Sequence, residues 1–221
     1  IDNSSAENHC TVFTICESPK NAQVVWAGTD DGNVQVTRDG KNWTNVTKNV
    51  SGLPPHTWVS CIEASHFDEG AAFASFDGHA MGDMKSYVYA TTDFGRTWKA
   101  LATPDLRGYA HVVRQDLVNP ALLFLGTEQG LFMRVDGGAQ WAQFKGNLPD
   151  VAVRDLAIQP RESDLLIATH GRGLYILDDL TPLRALNRDV LTADVTMLPS
   201  RPSFMNIPTF EQRFDGDQAF D

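Results

Sequence analysis

Cysteine is scarce in this chain: Cys10, Cys16 and Cys61 are the only three in 221 residues. They are odd in number and form no CxxC pair, which argues against a disulfide-stapled scaffold or a thiolate metal site. They read as small buried residues, with one disulfide left open if the protein is exported. Positive charge is also short. Eighteen Lys and Arg against 28 Asp and Glu leave a formal charge of −10. That argues against non-specific binding to nucleic acid or to an anionic membrane surface, while saying little about a peptide or sugar ligand. No apolar run approaches the roughly twenty residues of a membrane helix, so no membrane span is expected. G-x-S-x-G, H-E-x-x-H and Walker-type loops are missing as well, and neither a cofactor nor a metal is expected. The chain begins at Ile1 with neither methionine nor signal peptide, and so reads as a processed product or an excised fragment. Four N-x-S/T sequons (Asn3, Asn42, Asn45, Asn49) would matter only in a eukaryotic secretory host.

What is present is turn chemistry. Glycine at 17, proline at 11 and aromatics at 10% suit a strand- and turn-rich protein. The stretch 91–98, Thr-Thr-Asp-Phe-Gly-Arg-Thr-Trp, has weaker copies ending at Trp43 and Trp141. A spacing of roughly forty to fifty residues marks a repeat architecture. Each unit carries a short apolar strand, a turn, a second apolar strand ending in a small residue (Gly28, Ser75, Gly126, Thr169), a polar hairpin and a third strand. A fourth strand is expected from each box tryptophan. Four antiparallel strands per repeat, stacked sheet on sheet, predict an all-β chain of β-propeller blades.

Three full blades are expected, with a fourth that stops after its third strand. The boundaries read as an N-terminal arm over 1–10, blades over 11–200 (approximately 11–57, 58–108, 109–150 and 151–200), and an irregular tail over 201–221. In the fourth unit, Thr181-Pro182 predicts a helix N-cap and a short helix through about Arg188. The alternation over 190–198 predicts one more strand, placed to complete that blade. Three and a half blades cannot close a ring, so the expected partners are the remaining blades, from upstream sequence, another chain or self-association.

The repeated turn reads as a structural corner. A short carboxylate (Asp39, Asp93, Asp136) can accept the turn's own N–H groups. Glycine (Gly40, Gly95, Gly138) can take a positive φ. Thr37, Thr91 and Thr97 supply hydroxyls, and Trp43, Trp98 and Trp141 are expected to seal the corner between sheets. The phrase at 91–98 resembles the Asp-box, or bacterial-neuraminidase repeat, of propellers. The stretches 28–40 and 169–173 resemble exported bacterial proteins described as sortilin-like or glycosyl-hydrolase-like. The resemblance spans residues 11 to about 200 and implies an extracellular or periplasmic location. It informs the fold and barely touches the chemistry. The first box is one residue short and the third replaces its hydroxyl residues with Arg134 and Gln140, so looser corners are expected there.

With the boxes on one face, ligands are expected on the other, where the second hairpin of each blade meets the links between blades. Asp30, Asp31, Asp77, His79, Asp83, Glu128, His170 and Arg172 fall there as candidate ligand-binding residues. The excursion 77–85 is about eight residues longer than its counterparts, and such loops are often functional. Phe13, Ser60, His111 and Arg154 share one column of the innermost strands; His111 and Arg154 are further candidates, for a carboxylate or a sugar. The expected function is a non-catalytic scaffold recognising protein, peptide or glycan. The alternative, a sialidase- or xyloglucanase-like glycoside hydrolase, needs two carboxylates about 5–5.5 Å or about 6.5–9.5 Å apart, and no convincing set appears in the sequence.

Overall fold

A computed structural model describes residues 10–135, 137 and 140–202. Three sheets have four antiparallel strands in simple up-and-down order. The first is β1 (Val12–Ser18), β2 (Asn21–Thr29), β3 (Val34–Thr37) and β4 (Trp43–Asn45). The second is β5 (Trp58–Ala64), β6 (Ala72–Asp77), β7 (Tyr87–Thr91) and β8 (Lys99–Ala100). The third is β9 (Ala110–Gln115), β10 (Leu123–Thr127), β11 (Gly130–Arg134) and β12 (Ala142–Phe144). The fourth holds only β13 (Val153–Gln159), β14 (Asp164–Thr169) and β15 (Leu174–Leu177). These are propeller blades, as the repeat predicts.

The blades stack through two apolar clusters. One, built on Trp26, Val36, Ile62 and Phe76, joins the first two blades. The other, built on Val113, Phe124, Leu156 and Ile167, joins the second, third and fourth. The small residue closing each second strand explains how close that stacking is. A Cβ on Gly28 would lie 2.4 Å from Val59 Cγ1, and one on Gly126 would lie 2.6 Å from the Val153 carbonyl oxygen, each in the next blade's inner strand. Ser75, in the same column, is fully buried and sits 2.9 Å from the hydroxyl of Ser60. In the fourth sheet the column holds a half-buried Thr169. The outward faces of the two terminal sheets leave Ile15 68% and Leu174 75% exposed.

The first two corners hold as hydrogen-bonded units. Asp93 accepts from the Thr97 N–H (2.9 Å), the Thr97 hydroxyl (2.7 Å) and the Thr91 hydroxyl (2.9 Å), while Phe94 and Gly95 take φ of 58° and 76°. The shortened first corner is not looser. Asp39 accepts from the N–H groups of Lys41 and Asn42, from the Asn42 amide at 2.6 Å and from the Thr37 hydroxyl; the Asn42 side chain takes the place of the threonine hydroxyl. Asp136 and Gly138 lie outside the described residues, as do residues 1–9 of the arm and 203–221 of the tail. The tryptophans differ. Trp141 is buried and donates to Leu101 O at 2.8 Å, Trp98 packs edge-on to Trp26, and Trp43 is 45% exposed and seals nothing.

Three further expectations are corrected. Residues 190–198 form no strand: Asn187 Oδ1 accepts the Val190 N–H at 2.9 Å and starts helix α2 (Arg188–Thr192), a cap that overrides the alternation. The helix α1 spans only Thr181–Arg184, with Leu180 at its N-cap and Asp179 accepting the Thr181 N–H. The cysteines are free but not uniformly buried, Cys10 being exposed and Cys61 buried.

Candidate functional site at the mouth of the blades

Two sets of backbone contacts sort the loops by face. The corners bond to the start of the second strand or the turn before it (Gly40 N to Gln23 O, Phe94 N to Gly70 O). The second hairpins bond to the starts of the innermost strands (Asp30 N to Thr11 O, Glu128 N to Tyr109 O, His170 N to Ala152 O). The second face is the one where candidate side chains converge.

A β-bulge recurs there at one position in every blade. The ladder slips between Val12 and Thr14, between Val59 and Cys61, between Ala110 and Val112, and between Val153 and Asp155. The extra residues are Phe13, Ser60, His111 and Arg154. A bulge breaks strict alternation and re-aims a side chain, so this column does not simply share a face with the apolar residues two positions on.

Around two of these bulges lies a continuous polar and aromatic cluster. The Asp77 carboxylate, almost wholly buried, accepts the His79 N–H at 2.9 Å and lies 2.7 Å from His79 Nδ1. His79 stacks on Tyr109, and Tyr109 meets His111 edge-on with centroids 5.0 Å apart. His111 Nε2 lies 2.9 Å from Glu128 Oε2. Arg154 closes the chain, with Nη1 3.4 Å from His111 Nδ1 and Nη2 3.9 Å from Glu128. Since a guanidinium only donates, His111 Nδ1 accepts and its proton sits on Nε2, facing Glu128.

The electrostatics follow from burial and these bonds. Burial pushes the His111 pKa below the ordinary histidine value, and the Arg154 charge adds to this against the opposing pull of Glu128. Burial would raise Glu128, but hydrogen bonds from His111 and Tyr109 outweigh it and hold the carboxyl below its usual range. Tyr109 is raised by burial and by Glu128.

The other candidates lie apart from this cluster. Asp30 accepts the N–H groups of Cys10 and Thr11, both at 2.8 Å. Asp31 is tied to the Thr29 hydroxyl and the Asn33 amide; these bonds outweigh burial and lower its pKa. Asp83 braces the excursion by accepting from the Tyr87 hydroxyl at 2.7 Å, which lowers its own pKa; burial, then Asp83, push Tyr87 up to about 12. His170 and Arg172 are exposed in the last hairpin. The excursion carries a 3₁₀ turn at His79–Met81 and leaves Met81 and Met84 exposed.

Sequence reasoning missed two features. Tyr109, at the end of a link, links the two histidines; its signal was adjacency to the bulge residue His111. Arg114 staples three inner strands, with Nη1 2.8 Å from Glu63, Nε donating to Leu156 O at 2.8 Å and Nη2 3.4 Å from Asp155. Among the described residues no group of three or more His, Cys, Asp or Glu is placed to hold a metal ion, and no helix is long and apolar enough to cross a membrane.

No protein-family model and no curated protein sequence matches the chain. Solved structures do. The chain is similar to the GH74 xyloglucanase from Xanthomonas campestris (17% identity, TM-score 0.61), over 77% of this chain and 29% of that one. It is similar to YCF48 bound to D1 peptide (14%, TM-score 0.55), over 76% of this chain and 51% of that one. An extracellular domain from B. thetaiotaomicron matches at 17% and TM-score 0.55, over 75% and 20%. The chain thus spans between a fifth and about half of the length of these relatives. At such identities the likeness is one of fold: the chain is built as a segment of a β-propeller.

Proposed function

We propose that this chain is part of a non-catalytic recognition propeller that binds protein, peptide or glycan on the face opposite the corner turns. The observation that carries this is the convergence of Asp77, His79, Tyr109, His111, Glu128 and Arg154 from three blades into one mouth. Arg154 is about half exposed and, among the described residues, bonds His111 and approaches Glu128, leaving most of its N–H donors available to a ligand. A glycosidase acid needs a carboxyl raised in pKa. Glu128, Asp31 and Asp83 are all lowered, and the buried Asp77 is bonded to His79. The pattern suits a preorganised binding surface. A peptide panel and a glycan array probed with the intact protein test this: ligands are expected, and Arg154→Ala should abolish their retention. Unchanged binding in that variant removes the mouth as the site.

The glycoside-hydrolase alternative, with carboxylates partly on other blades, has the fold likeness to a GH74 xyloglucanase behind it. Polysaccharide cleavage unaffected by Asp30→Asn, Asp83→Asn and Glu128→Gln would end it for these residues. The open terminal sheets support further blades as partners, and the ordered corners support membership of the Asp-box propellers. An extracellular or periplasmic location accords with the B. thetaiotaomicron likeness, and fractionation of the native host tests it.

A further inference from the structure

We infer that His111 is a pH-operated latch on Arg154: the neutral imidazole holds the guanidinium in the mouth, and the protonated imidazole releases it. The use of such a latch in recognition rests on the reading of the mouth as a binding site. His111 and Arg154 are the extra residues of corresponding bulges in the third and fourth sheets. In the first and second sheets that position holds Phe13 and Ser60, which carry no charge. At the junction of the third and fourth sheets, therefore, a ring that titrates near physiological pH meets a permanent cation. The ring is a single link between two partners. Its Nε2–H faces Glu128 Oε2 at 2.9 Å, and Nδ1 accepts from Arg154 Nη1 at 3.4 Å.

A proton added to this ring goes to Nδ1, the nitrogen that Arg154 uses. The acceptor becomes a donor, and an imidazolium then stands beside a guanidinium. The other groups facing the ring do not restore the bond. From its own blade, Glu128 is engaged at Nε2 and Tyr109 meets the ring edge-on. From the second blade, Asp77 is bonded to His79, His79 is stacked on Tyr109, and β5 brings the neutral Ser60, whose hydroxyl donates to Ala110 O. Arg154 is the part free to move, since its side chain is 45% exposed against 6% for His111. The backbones have less freedom, because Gly126 presses on the Val153 carbonyl where β10 meets β13. Burial and the Arg154 charge both disfavour the imidazolium, so release falls below the ordinary histidine value of about 6.5. Above the transition the mouth presents a preorganised cation. Below it a ligand must order that side chain itself, at a cost of about three- to ten-fold in affinity.

The test is nitrogen NMR of the intact protein, titrated with acid from about pH 8 to about pH 5 with no other ligand present. His111 is expected as the Nε2–H tautomer at the start, and the Arg154 Nε signal should shift with the same midpoint as the ring. Arg154→Met should raise the proton affinity of His111 about three- to ten-fold, while Arg154→Lys, which keeps the charge, should hold it near the parent value. His111→Gln should leave the Arg154 signal flat across the range. Unchanged amide signals away from the mouth confirm that each variant is folded. An Nδ1–H tautomer, a ring still neutral at the end of the titration, an Arg154 signal indifferent to it, or a parental midpoint in Arg154→Met overturns the latch. If the two side chains titrate together while the peptide panel and glycan array stay empty, the latch stands and the recognition reading fails. If panel ligands are retained through Arg154 but its signal ignores His111, the latch fails and the mouth reading stands.

Discussion

The imidazole of His79 lies flat against the ring of Tyr109, with centroids 4.8 Å apart and planes 17° from parallel. One ring belongs to the second blade's excursion and the other to the start of the third blade. The stack therefore fastens a long loop to a neighbouring sheet, helped by the Ser86–Gly108 bond. His79→Ala should destabilise the protein by about 1 kcal/mol. Amide hydrogen exchange should rise across the excursion more than across β6 or β7. Uniform exchange throughout would mean the stack does not hold the loop.

Asp93 receives three hydrogen bonds within its corner. Asp93→Ala should cost about 1–2 kcal/mol in urea unfolding. The bonds from the Thr97 N–H and hydroxyl, chief among the causes, lower the folded pKa of Asp93. The stabilisation is therefore complete above the unfolded value, near pH 4, and is lost as pH falls through the lower folded one. Asp93→Asn should flatten the stability profile on that acid limb.

Arg184 grips the fully buried Asp116 through two contacts of 2.9 Å and bonds Ser163, clasping α1 beneath the third and fourth blades. Removing one member of a buried pair strands the other charge, which typically costs about 3–5 kcal/mol. Arg184→Met should approach that figure in chemical denaturation. The double variant Arg184→Met, Asp116→Asn should recover part of the loss.

His111 has a folded pKa lowered by burial, so it is held neutral in the native state. The unfolded chain binds a proton there first, near pH 6.5, and stability falls as pH drops below that value. His66, also lowered by burial, adds to the same trend. The contribution of His111 is read from the difference between the parent and His111→Gln. Between pH 7.5 and 5.5 the parent should lose more melting temperature than the variant.

The repeat, the strand order and the corners were legible in the sequence because they are local. A carboxylate, a glycine and hydroxyl groups within a few residues close a turn from their own side chains, and Asp93 with Thr91 and Thr97 does so. The small residue closing each second strand was visible too, although the reason for it was not. Gly28 and Gly126 are small because Val59 and Val153 of the next blade press against them.

What only the tertiary structure decided are relationships between blades. The candidate residues were found as scattered positions on one face. Side chains crossing between blades then separated them: Arg154 reaches His111, His79 lies on Tyr109, and Arg114 staples three strands, while Asp30, Asp31 and Asp83 bond within their own blades. The bulge that re-aims His111 and Arg154 carries no composition signal, since any residue can be the extra one in a ladder. The alternation over 190–198 misled for a related reason. It records a preference for a strand, but strand formation also needs a partner edge, and the local cap from Asn187 claimed the segment first. Local chemistry wrote the blades and their corners; packing between blades made the mouth.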